Sequence, residues 1–411
     1  MRGAAVVAMT RARTAVWISV LALISAITPL ATDMYLPSFP VLAAELGTTA
    51  SNVQLTLTAF LVGLALGQLV IGPLSDSWGR RGLLLTGTAV CVLATLVCAL
   101  APNVWVLIAA RFVMGFSGGA GVVLSRAVVA DRTSGKRAAR LFSVMMAIQG
   151  IAPVVAPLVG GTLAGLVGWR GIFWVLTGVT AVMFIGVLVT IPESLPAERR
   201  SGGGLGPMAR DVASALGRRR YVGYSLAFAL AFAALFAYIS GSPFVLQGTL
   251  GLSRTQYTVA FAINAVGLAA ASAANAQLLR RYTPGRLLLV GVSALVICSG
   301  LLTAVVLAGT PRWPTLVLLF AAVLSVGFVL GNASALAIDE VPEMAGTGSA
   351  LLGALQFGLG AVVSPLVGSS AVTMAALMLL AATLAAASFV LLGGIADPQP
   401  DKARESGLSA P

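Results

Sequence analysis

Three ionisable side chains interrupt long apolar stretches of this sequence: Asp33, Arg111 and Arg126. If those stretches cross a bilayer, each charge costs at least roughly 2.5 to 3.5 kcal/mol and needs a partner or a wet cavity. Asp33 lies about seven residues before the end of its stretch and Arg111 about seven after the start of its own, at ~1.5 Å per residue. We therefore expect both about 10 Å below one membrane surface, facing one another across a cavity.

The chemistry that Asp33 offers is reversible proton binding. Burial favours the neutral acid and a nearby guanidinium favours the carboxylate, so the group is able to titrate during transport. The alternative is a static ion pair with Arg111 that locks two helices. The chain has no histidine, so a proton relay has few other groups to use. We interpret Arg126 as a snorkelling or pairing residue near the inner end of its stretch.

The composition places most of the chain in lipid. Of 411 residues, 58% are hydrophobic and 9% charged, whereas soluble domains carry roughly 25% charged residues. Twelve apolar stretches approach the ~20 residues that a membrane-crossing helix needs, and their continuity favours helices over the strands of a β-barrel. The predicted fold is an all-α membrane protein with spans at about 15–40, 51–73, 82–101, 104–127, 139–166, 169–191, 220–247, 256–278, 286–308, 314–338, 346–368 and 371–395.

The distribution of basic residues predicts the orientation. Of 25 Lys and Arg residues, 20 lie at the two termini or in the gaps after the even-numbered spans up to the tenth, and three lie in the other gaps. Cytoplasmic loops are enriched in these residues, so both termini are predicted to be cytoplasmic. The net charge of +12 therefore reflects topology rather than nucleic-acid binding. The first stretch is too long for a signal peptide, and we expect it to be an uncleaved span.

The longest gap divides the chain into halves. We predict six-helix bundles at 1–191 and 220–395, a cytoplasmic linker at 192–219 that includes a short interfacial helix, and a cytoplasmic tail at 396–411. A weak internal repeat supports this division, because Pro157-Leu158-Val159-Gly160 recurs at an offset of 208 residues as Pro365-Leu366-Val367-Gly368, and Asp131 recurs as Asp339. Repeated halves are common in secondary transporters.

Glycines and prolines in spans 4 and 5 are candidates for a moving helix interface, the alternative being simple close packing. They are Gly115, Gly118, Gly119 and Gly121 in span 4, and Gly150, Pro153, Pro157, Gly160 and Gly161 in span 5. The gap after span 2, from Gly72 to Arg81, contains one acid and two arginines. It is either a loop that docks against neighbouring helices or an ordinary basic cytoplasmic loop.

Span 7 carries an aromatic stripe of Phe228, Phe232 and Phe236, followed by Tyr238. Such a stripe faces lipid or packs against neighbours more often than it binds a ligand, although a site for lipophilic drugs would use the same surface. Enzyme chemistry is excluded on several counts. No P-loop spacing surrounds Lys136 or Lys402, and the lack of histidine removes zinc catalysis and a Ser-His-Asp triad. We expect no cofactor and no metal.

Several motifs, in this order and spacing, resemble the major facilitator superfamily, and within it the bicyclomycin/chloramphenicol-resistance (Bcr/CflA) subgroup of drug:proton antiporters. Gly72 to Arg81 is similar to the superfamily's loop motif, with Ser77 where a basic residue is usual. The other matching strings are Thr32-Asp33-Met34-Tyr35-Leu36-Pro37, Arg111 with Gly115, Ser125-Arg126-Ala127-Val128-Val129-Ala130-Asp131, Ala152-Pro153 with Ala156-Pro157-Leu158-Val159-Gly160-Gly161, Trp169-Arg170-Gly171-Ile172-Phe173 and Ser242-Pro243-Phe244.

The resemblance implies two pseudo-symmetric six-helix bundles that alternate access around a central cavity. It makes Asp33 the proton-binding group and Arg111 the residue that tunes it. It implies a cytoplasmic latch that holds the outward-open state, and an antiporter motif in span 5 at Gly150, Pro153, Pro157, Gly160 and Gly161. The latch residues would be Gly72, Asp76, Gly79, Arg80, Arg81, Arg126 and Asp131. The cavity residues would be Tyr35, Phe232, Phe236 and Tyr238.

These observations predict proton-coupled efflux of lipophilic drugs, chloramphenicol- or bicyclomycin-like, across the bacterial cytoplasmic (inner) membrane. The expected partners are a small lipophilic substrate, protons and membrane lipid, without nucleic acid, and we expect a monomer. One alternative keeps the fold but moves an endogenous metabolite. Another is a receptor or scaffold with a degenerate transporter fold, which need not retain Asp33, Arg111 and the loop motif together.

Overall fold

The structure, a computed structural model, describes residues 11–133, 135–200 and 205–394. The predicted tail at 396–411 and linker residues 201–204 lie outside this part of the chain. Within it the regular structure is helical, and no β-strand occurs. The helices are α1 (Arg11–Asp33), α2 (Phe39–Glu45), α3 (Ala50–Trp78), α4 (Arg80–Leu100), α5 (Val104–Arg132), α6 (Gly135–Thr190), α7 (Leu205–Leu216), α8 (Arg219–Phe244), α9 (Arg254–Leu278), α10 (Pro284–Leu307), α11 (Arg312–Asp339), α12 (Ala345–Val363) and α13 (Ala371–Ser388).

Eleven helices in the described part of the chain are long and apolar enough to cross a membrane. One of them, Arg140–Thr190, has 51 residues, whereas ~20 suffice for one crossing. It is broken at Gly168, where φ is 68° and ψ is −178°. Only a residue without a Cβ adopts this conformation readily. Residues on either side of Gly168 therefore form two spans, which gives the twelve that the sequence predicts.

Several helix boundaries differ from the predicted spans; α5, for example, continues past residue 127 to Arg132. The first span continues beyond residue 40 to Glu45, with a break after Asp33 where a short 3₁₀ turn, Leu36–Ser38, joins α1 to α2. Helix α3 continues through Pro73 to Trp78, so the expected loop shrinks to Gly79, at φ 95°. The Ser75 hydroxyl donates to the Gly72 carbonyl, 2.6 Å away.

We call α1–α6 the N-terminal half and α8–α13 the C-terminal half. Helix α7 lies within the predicted linker. We call the end of the bundle beside the arginine-rich loops the basic end, and the other end the far end. The N-terminal half is closely packed where α3 crosses α5. Gly63 and Gly67 lie against the backbone of Phe112 and Phe116, while on the other helix glycines 115 and 119 lie against backbone at 60 and 64.

This reciprocal arrangement lets the two helices approach at backbone distance, as small residues at regular four-residue spacing do in membranes. The span 4 glycines at these two positions therefore pack inside one half. The structure favours the close-packing reading of Gly115 and Gly119 over a moving interface.

Candidate functional site

A cavity of about 510 Å³ separates the two halves. It is lined by α1, α3, α5 and α6 on one side and by α8, α9, α11 and α12 on the other. Most lining side chains are aliphatic or aromatic, which suits a lipophilic ligand. The charged ones are Asp33 and Arg126. The cavity extends from Asp33 toward the basic end, where Arg126 lies with Ser334 and Ser349.

Asp33 is the last residue of α1, and it lines the cavity on the side away from the basic end. Only 6% of the residue is exposed, and none of the ion pairs within 4 Å in the described residues includes it. Tyr238 of the other half lines the same cavity. An acid that is buried, unpaired and adjacent to a cavity is able to bind and release a proton as its surroundings change.

The C-terminal half supplies an aromatic wall opposite Asp33. Tyr238 stacks on Phe261 with ring centroids 5.7 Å apart, and its hydroxyl accepts a hydrogen bond from the Asn264 amide at 2.6 Å. Phe232 packs on Phe236 at 5.1 Å between centroids. All five side chains line the cavity. The stripe on span 7 therefore faces the cavity rather than lipid.

Arg111 is fully buried, and it contacts Tyr35 rather than Asp33. Its guanidinium donates to the Tyr35 hydroxyl at 3.3 Å and lies 4.6 Å from the centre of that ring. The rings of Phe60 and Phe173 complete the enclosure at 4.3 and 5.9 Å. Cation–π contacts thus stabilise the charge. Equal depth had suggested that the two charges face one another; the structure brings Arg111 to an aromatic enclosure instead.

Tyr35 is also placed differently from the expectation. Its hydroxyl lies 2.9 Å from that of Thr56, the residue is fully buried, and it does not line the cavity. Its contacts orient Arg111 in the core of the N-terminal half. Tyr35 therefore does not line this cavity, whereas Phe232, Phe236 and Tyr238 do.

Five of the predicted latch residues form a cluster at the basic end of the N-terminal half. Arg80 pairs with Asp76 at 2.6 Å and with Asp131 at 3.3 Å. Gly79 adopts φ 95°, and this conformation turns the chain from α3 into α4. Arg81 donates to the Ile191 carbonyl at 2.9 Å.

Glu193 completes this cluster, although the sequence analysis did not identify it. Its two carboxylate oxygens accept hydrogen bonds from the backbone N–H groups of Arg80 at 2.9 Å and Arg81 at 3.2 Å, and so cap α4. Burial alone would raise the pKa of Glu193, but these bonds and two from its own loop outweigh it and lower the pKa. The sequence feature that could have identified Glu193 is its position as an acid directly after the sixth span. In the fold, that position lies beside the start of α4, at Arg80 and Arg81.

Arg126 does not belong to this cluster. It lines the cavity, and its guanidinium donates to the Gln149 side chain at 3.5 Å. Asp131 lies five residues further along α5, about 140° around the helix, and pairs with Arg80. Arg126 therefore belongs to the cavity wall instead of the predicted latch. Gly72, the remaining latch residue, packs α3 on α5, because a Cβ there would lie 3.5 Å from Val123.

The span 5 motif lies between the halves in α6. Gly160 lies against the Met34 carbonyl of its own half, and Gly161 lies against Thr258 of the other half, with no room for a side chain at either position. Pro153 lines the cavity and Pro157 is buried. Gly150 has open space around its Cα. Gly161 therefore permits the closest approach of α6 to α9.

The far end is closed by hydrogen bonds between the halves, centred on Gln54, which is fully buried. Its side-chain nitrogen donates to the carbonyls of Ser240 at 3.0 Å and Gly368 at 2.8 Å, and its oxygen accepts from the Gly368 N–H at 3.0 Å. Nearby, Thr58 donates to the Ala361 carbonyl at 2.8 Å. We call these contacts the far-end seal. Gln54 is uncharged, so neither its residue type nor its spacing in the sequence indicates this role.

Comparison with known sequences decides the family. Residues 21–365 match the profile described as Major Facilitator Superfamily. The chain belongs to the major facilitator superfamily. It is 37% identical over 90% of its length to 93% of a Bacillus subtilis protein described as an uncharacterised MFS-type transporter. It is 32% identical over 89% of its length to 92% of a Haemophilus influenzae protein described as a bicyclomycin resistance protein homolog.

The fold agrees with this assignment. A bacterial homologue of the human lysosomal transporter Spinster, solved in an inward-facing and unoccupied conformation, superposes with a TM-score of 0.74 at 16% identity, covering 94% of this chain and 98% of that one. This major facilitator protein is accordingly a multi-pass membrane transporter rather than an enzyme. The predicted resemblance is confirmed, and its two six-helix bundles correspond to the halves on either side of the cavity.

Proposed function

We propose that this transporter exports lipophilic drugs, such as chloramphenicol- or bicyclomycin-like antibiotics, in exchange for protons by alternating access. The observation that carries the proposal is the position of Asp33 in the lining of an apolar cavity. This acid is buried and has no cationic partner in the described residues. A relative described as a bicyclomycin resistance protein homolog supports the substrate class.

The geometry supports coupling by competition at one site. Asp33 and the aromatic side chains Phe232, Phe236 and Tyr238 line the same cavity. A bound lipophilic molecule would exclude water from the carboxyl group and change the balance between its charged and neutral forms. A membrane potential supplies about 2.3 kcal/mol per charge per 100 mV, so inward movement of a proton is able to drive export.

Orientation follows from the arginine-rich loops. We infer that the basic end is cytoplasmic, that both termini lie on that side, and that the protein acts as a monomer in the bacterial inner membrane. The cavity then extends toward the cytoplasm while the far-end seal closes the outer side. In the opposite state the seal would separate and Asp33 would exchange protons with the outside. The cluster around Arg80 would hold that state, as the family resemblance implies.

The test is transport in everted membrane vesicles. Asp33→Asn keeps the shape of the side chain and removes its titration, so we expect proton-driven efflux of chloramphenicol to disappear. Asp211→Asn, in α7 and away from the cavity, is the matched control and should transport like the parent protein. Undiminished efflux in the Asp33 variant, with the uncoupler-sensitive fraction intact, would remove the coupling role.

A further inference from the structure

The cavity holds a second charge whose role the efflux mechanism leaves unexplained. Arg126 is exposed on the cavity wall, and its partner in the described residues is the neutral amide of Gln149, 3.5 Å away. None of the ion pairs among those residues includes it. An unpaired guanidinium within a membrane-spanning helix is energetically costly. A ligand that neutralises it would recover part of that cost.

The two cavity charges lie at different depths. Arg126 is six residues from the end of α5 at Arg132, which places it about 9 Å inside the basic end at ~1.5 Å per residue. It follows Arg111 by fifteen residues, or about 22 Å along the same helix. Since Arg111 contacts Tyr35, two residues beyond Asp33, the acid lies near that far level. Roughly 20 Å of mainly apolar wall therefore separates Asp33 from Arg126.

The groups around Arg126 favour an anion. A guanidinium presents five N–H donors in a planar fork that suits carboxylate, sulfonate and phosphate groups. The Gln149 oxygen accepts from Arg126, and Gln149 lines the cavity, so its NH₂ group is available as a further donor. Ser349, across the cavity on α12, adds an exposed hydroxyl. The carboxylate on α5 that is nearest in sequence, Asp131, is already engaged by Arg80.

We propose that Arg126 and Gln149 bind the anionic group of an amphipathic ligand whose apolar body lies along the aromatic wall. The ligand class is a lipophilic acid, carrying a carboxylate, sulfonate or phosphate. It enters either from the cytoplasm or as the headgroup of an anionic lipid. The inference deepens the proposed function by naming a substrate class for the same cavity, and it rests on that function only in treating the cavity as the substrate site.

The test uses two dyes with one aromatic skeleton. 8-Anilinonaphthalene-1-sulfonate is anionic and N-phenyl-1-naphthylamine is neutral. Each is titrated into the purified full-length protein in phosphatidylcholine nanodiscs, with the fluorescence of empty nanodiscs subtracted. We expect Arg126→Gln to weaken binding of the sulfonate by about tenfold or more, because charge-assisted hydrogen bonds are lost. Binding of the neutral dye should change less than about twofold, as expected when only the charge contact is removed.

A second variant keeps the arginine. Gln149→Glu places a carboxylate beside the guanidinium, so an internal ion pair should compete with the dye and weaken sulfonate binding as Arg126→Gln does. If Arg126 had a purely structural role, Gln149→Glu would not weaken sulfonate binding, because the new ion pair would strengthen the contact between α5 and α6. Arg132→Gln, at the end of the same helix and outside the cavity lining, is the matched control and should bind both dyes like the parent protein.

Unchanged sulfonate affinity in Arg126→Gln, or an equal loss for both dyes, would overturn the proposal. Titration in phosphatidylglycerol nanodiscs separates the two ligand sources. Competition by that lipid in the parent protein but not in Arg126→Gln identifies a headgroup as occupant, whereas its absence identifies a free amphipathic acid. The efflux assay is independent of this test. If the parent protein showed no proton-driven efflux of chloramphenicol while Arg126-dependent dye binding was intact, only the proposed function would be refuted.

Discussion

Replacing Gln54 by Leu should open the far end of the transporter. The side chain makes three hydrogen bonds to the backbone of the other half, at Ser240 and Gly368, in a fully buried position. Each bond contributes about 0.5 to 1.5 kcal/mol net, and buried groups left without partners cost more. The loss is about 2 to 4 kcal/mol for the sealed state alone, because these contacts join the two halves. The equilibrium between sealed and open states should therefore shift roughly 30- to 1000-fold.

The shift is measurable by electron paramagnetic resonance between spin labels on either side of the seal. Ala44 in α2 and Ala308 after α10 are exposed, lie at the far end and belong to opposite halves. They are labelled in a background without the three native cysteines. We expect the distance distribution of Gln54→Leu to gain a longer component that is minor or absent in the parent protein.

Gln68→Leu provides the matched control, since Gln68 is an amide on the same helix but lines the cavity away from the seal. It should leave the label distances unchanged. Identical distributions for Gln54→Leu and the parent protein would refute the reasoning. So would an equal change in Gln68→Leu, because any loss of an amide from α3 would then produce it.

Three further predictions concern the N-terminal half. Glu193→Gln should lower the melting temperature in detergent at pH 7. Because the pKa of Glu193 is lowered in the folded protein, the carboxylate stabilises the fold above its ordinary pKa of 4.5, and this stabilisation disappears as the pH falls through the lowered pKa. The melting temperatures of the variant and the parent protein should therefore converge in acid. Gly115→Ala should destabilise by about 1 to 3 kcal/mol in denaturant titrations through overpacking, whereas Gly118→Ala, with open space around it, should cost far less; equal costs would contradict the packing account. Tyr35→Phe should cost about 1 to 3 kcal/mol by removing the oxygen partner of a buried guanidinium, and an unchanged unfolding midpoint would show that the surrounding rings suffice.

Hydropathy predicted the number of spans because a membrane helix must hide its backbone within an apolar segment of fixed length. It failed at ends where the helix continues past the apolar segment. Helix α3 continues through Pro73 to Trp78. Its polar side chains there have partners, because the Ser75 hydroxyl donates to the Gly72 carbonyl and Asp76 pairs with Arg80. The long first span likewise continues to Glu45, which accepts a hydrogen bond from Trp169 at 2.7 Å.

The site was predicted where charge alone carries the signal. Asp33 borders the cavity because an isolated acid in lipid needs one. Depth along a helix, however, does not fix the direction in which a side chain points. Arg111 was assigned to Asp33 by its depth in the membrane, and Arg126 was assigned to the latch by its proximity in sequence to Asp131. In the structure, Arg111 lies in the Tyr35 enclosure and Arg126 lines the cavity. Gln54 is uncharged, and its role depends on the fold of the other half.

The two halves contribute different kinds of atoms to the far-end seal. The N-terminal half contributes the side chains of Gln54 and Thr58. The C-terminal half contributes mainly main-chain atoms, at Ser240, Ala361 and Gly368, together with the Ser364 hydroxyl, which donates to the Gln54 carbonyl at 3.3 Å. Position 240 is restrained by more than its carbonyl, because the fully buried Ser240 hydroxyl donates to the Ser364 carbonyl at 3.4 Å, whereas position 368, at φ 62°, is constrained by its backbone conformation. Hybrid proteins that combine this N-terminal half with the C-terminal half of a relative should still close at the far end, wherever the partner backbone follows the same path.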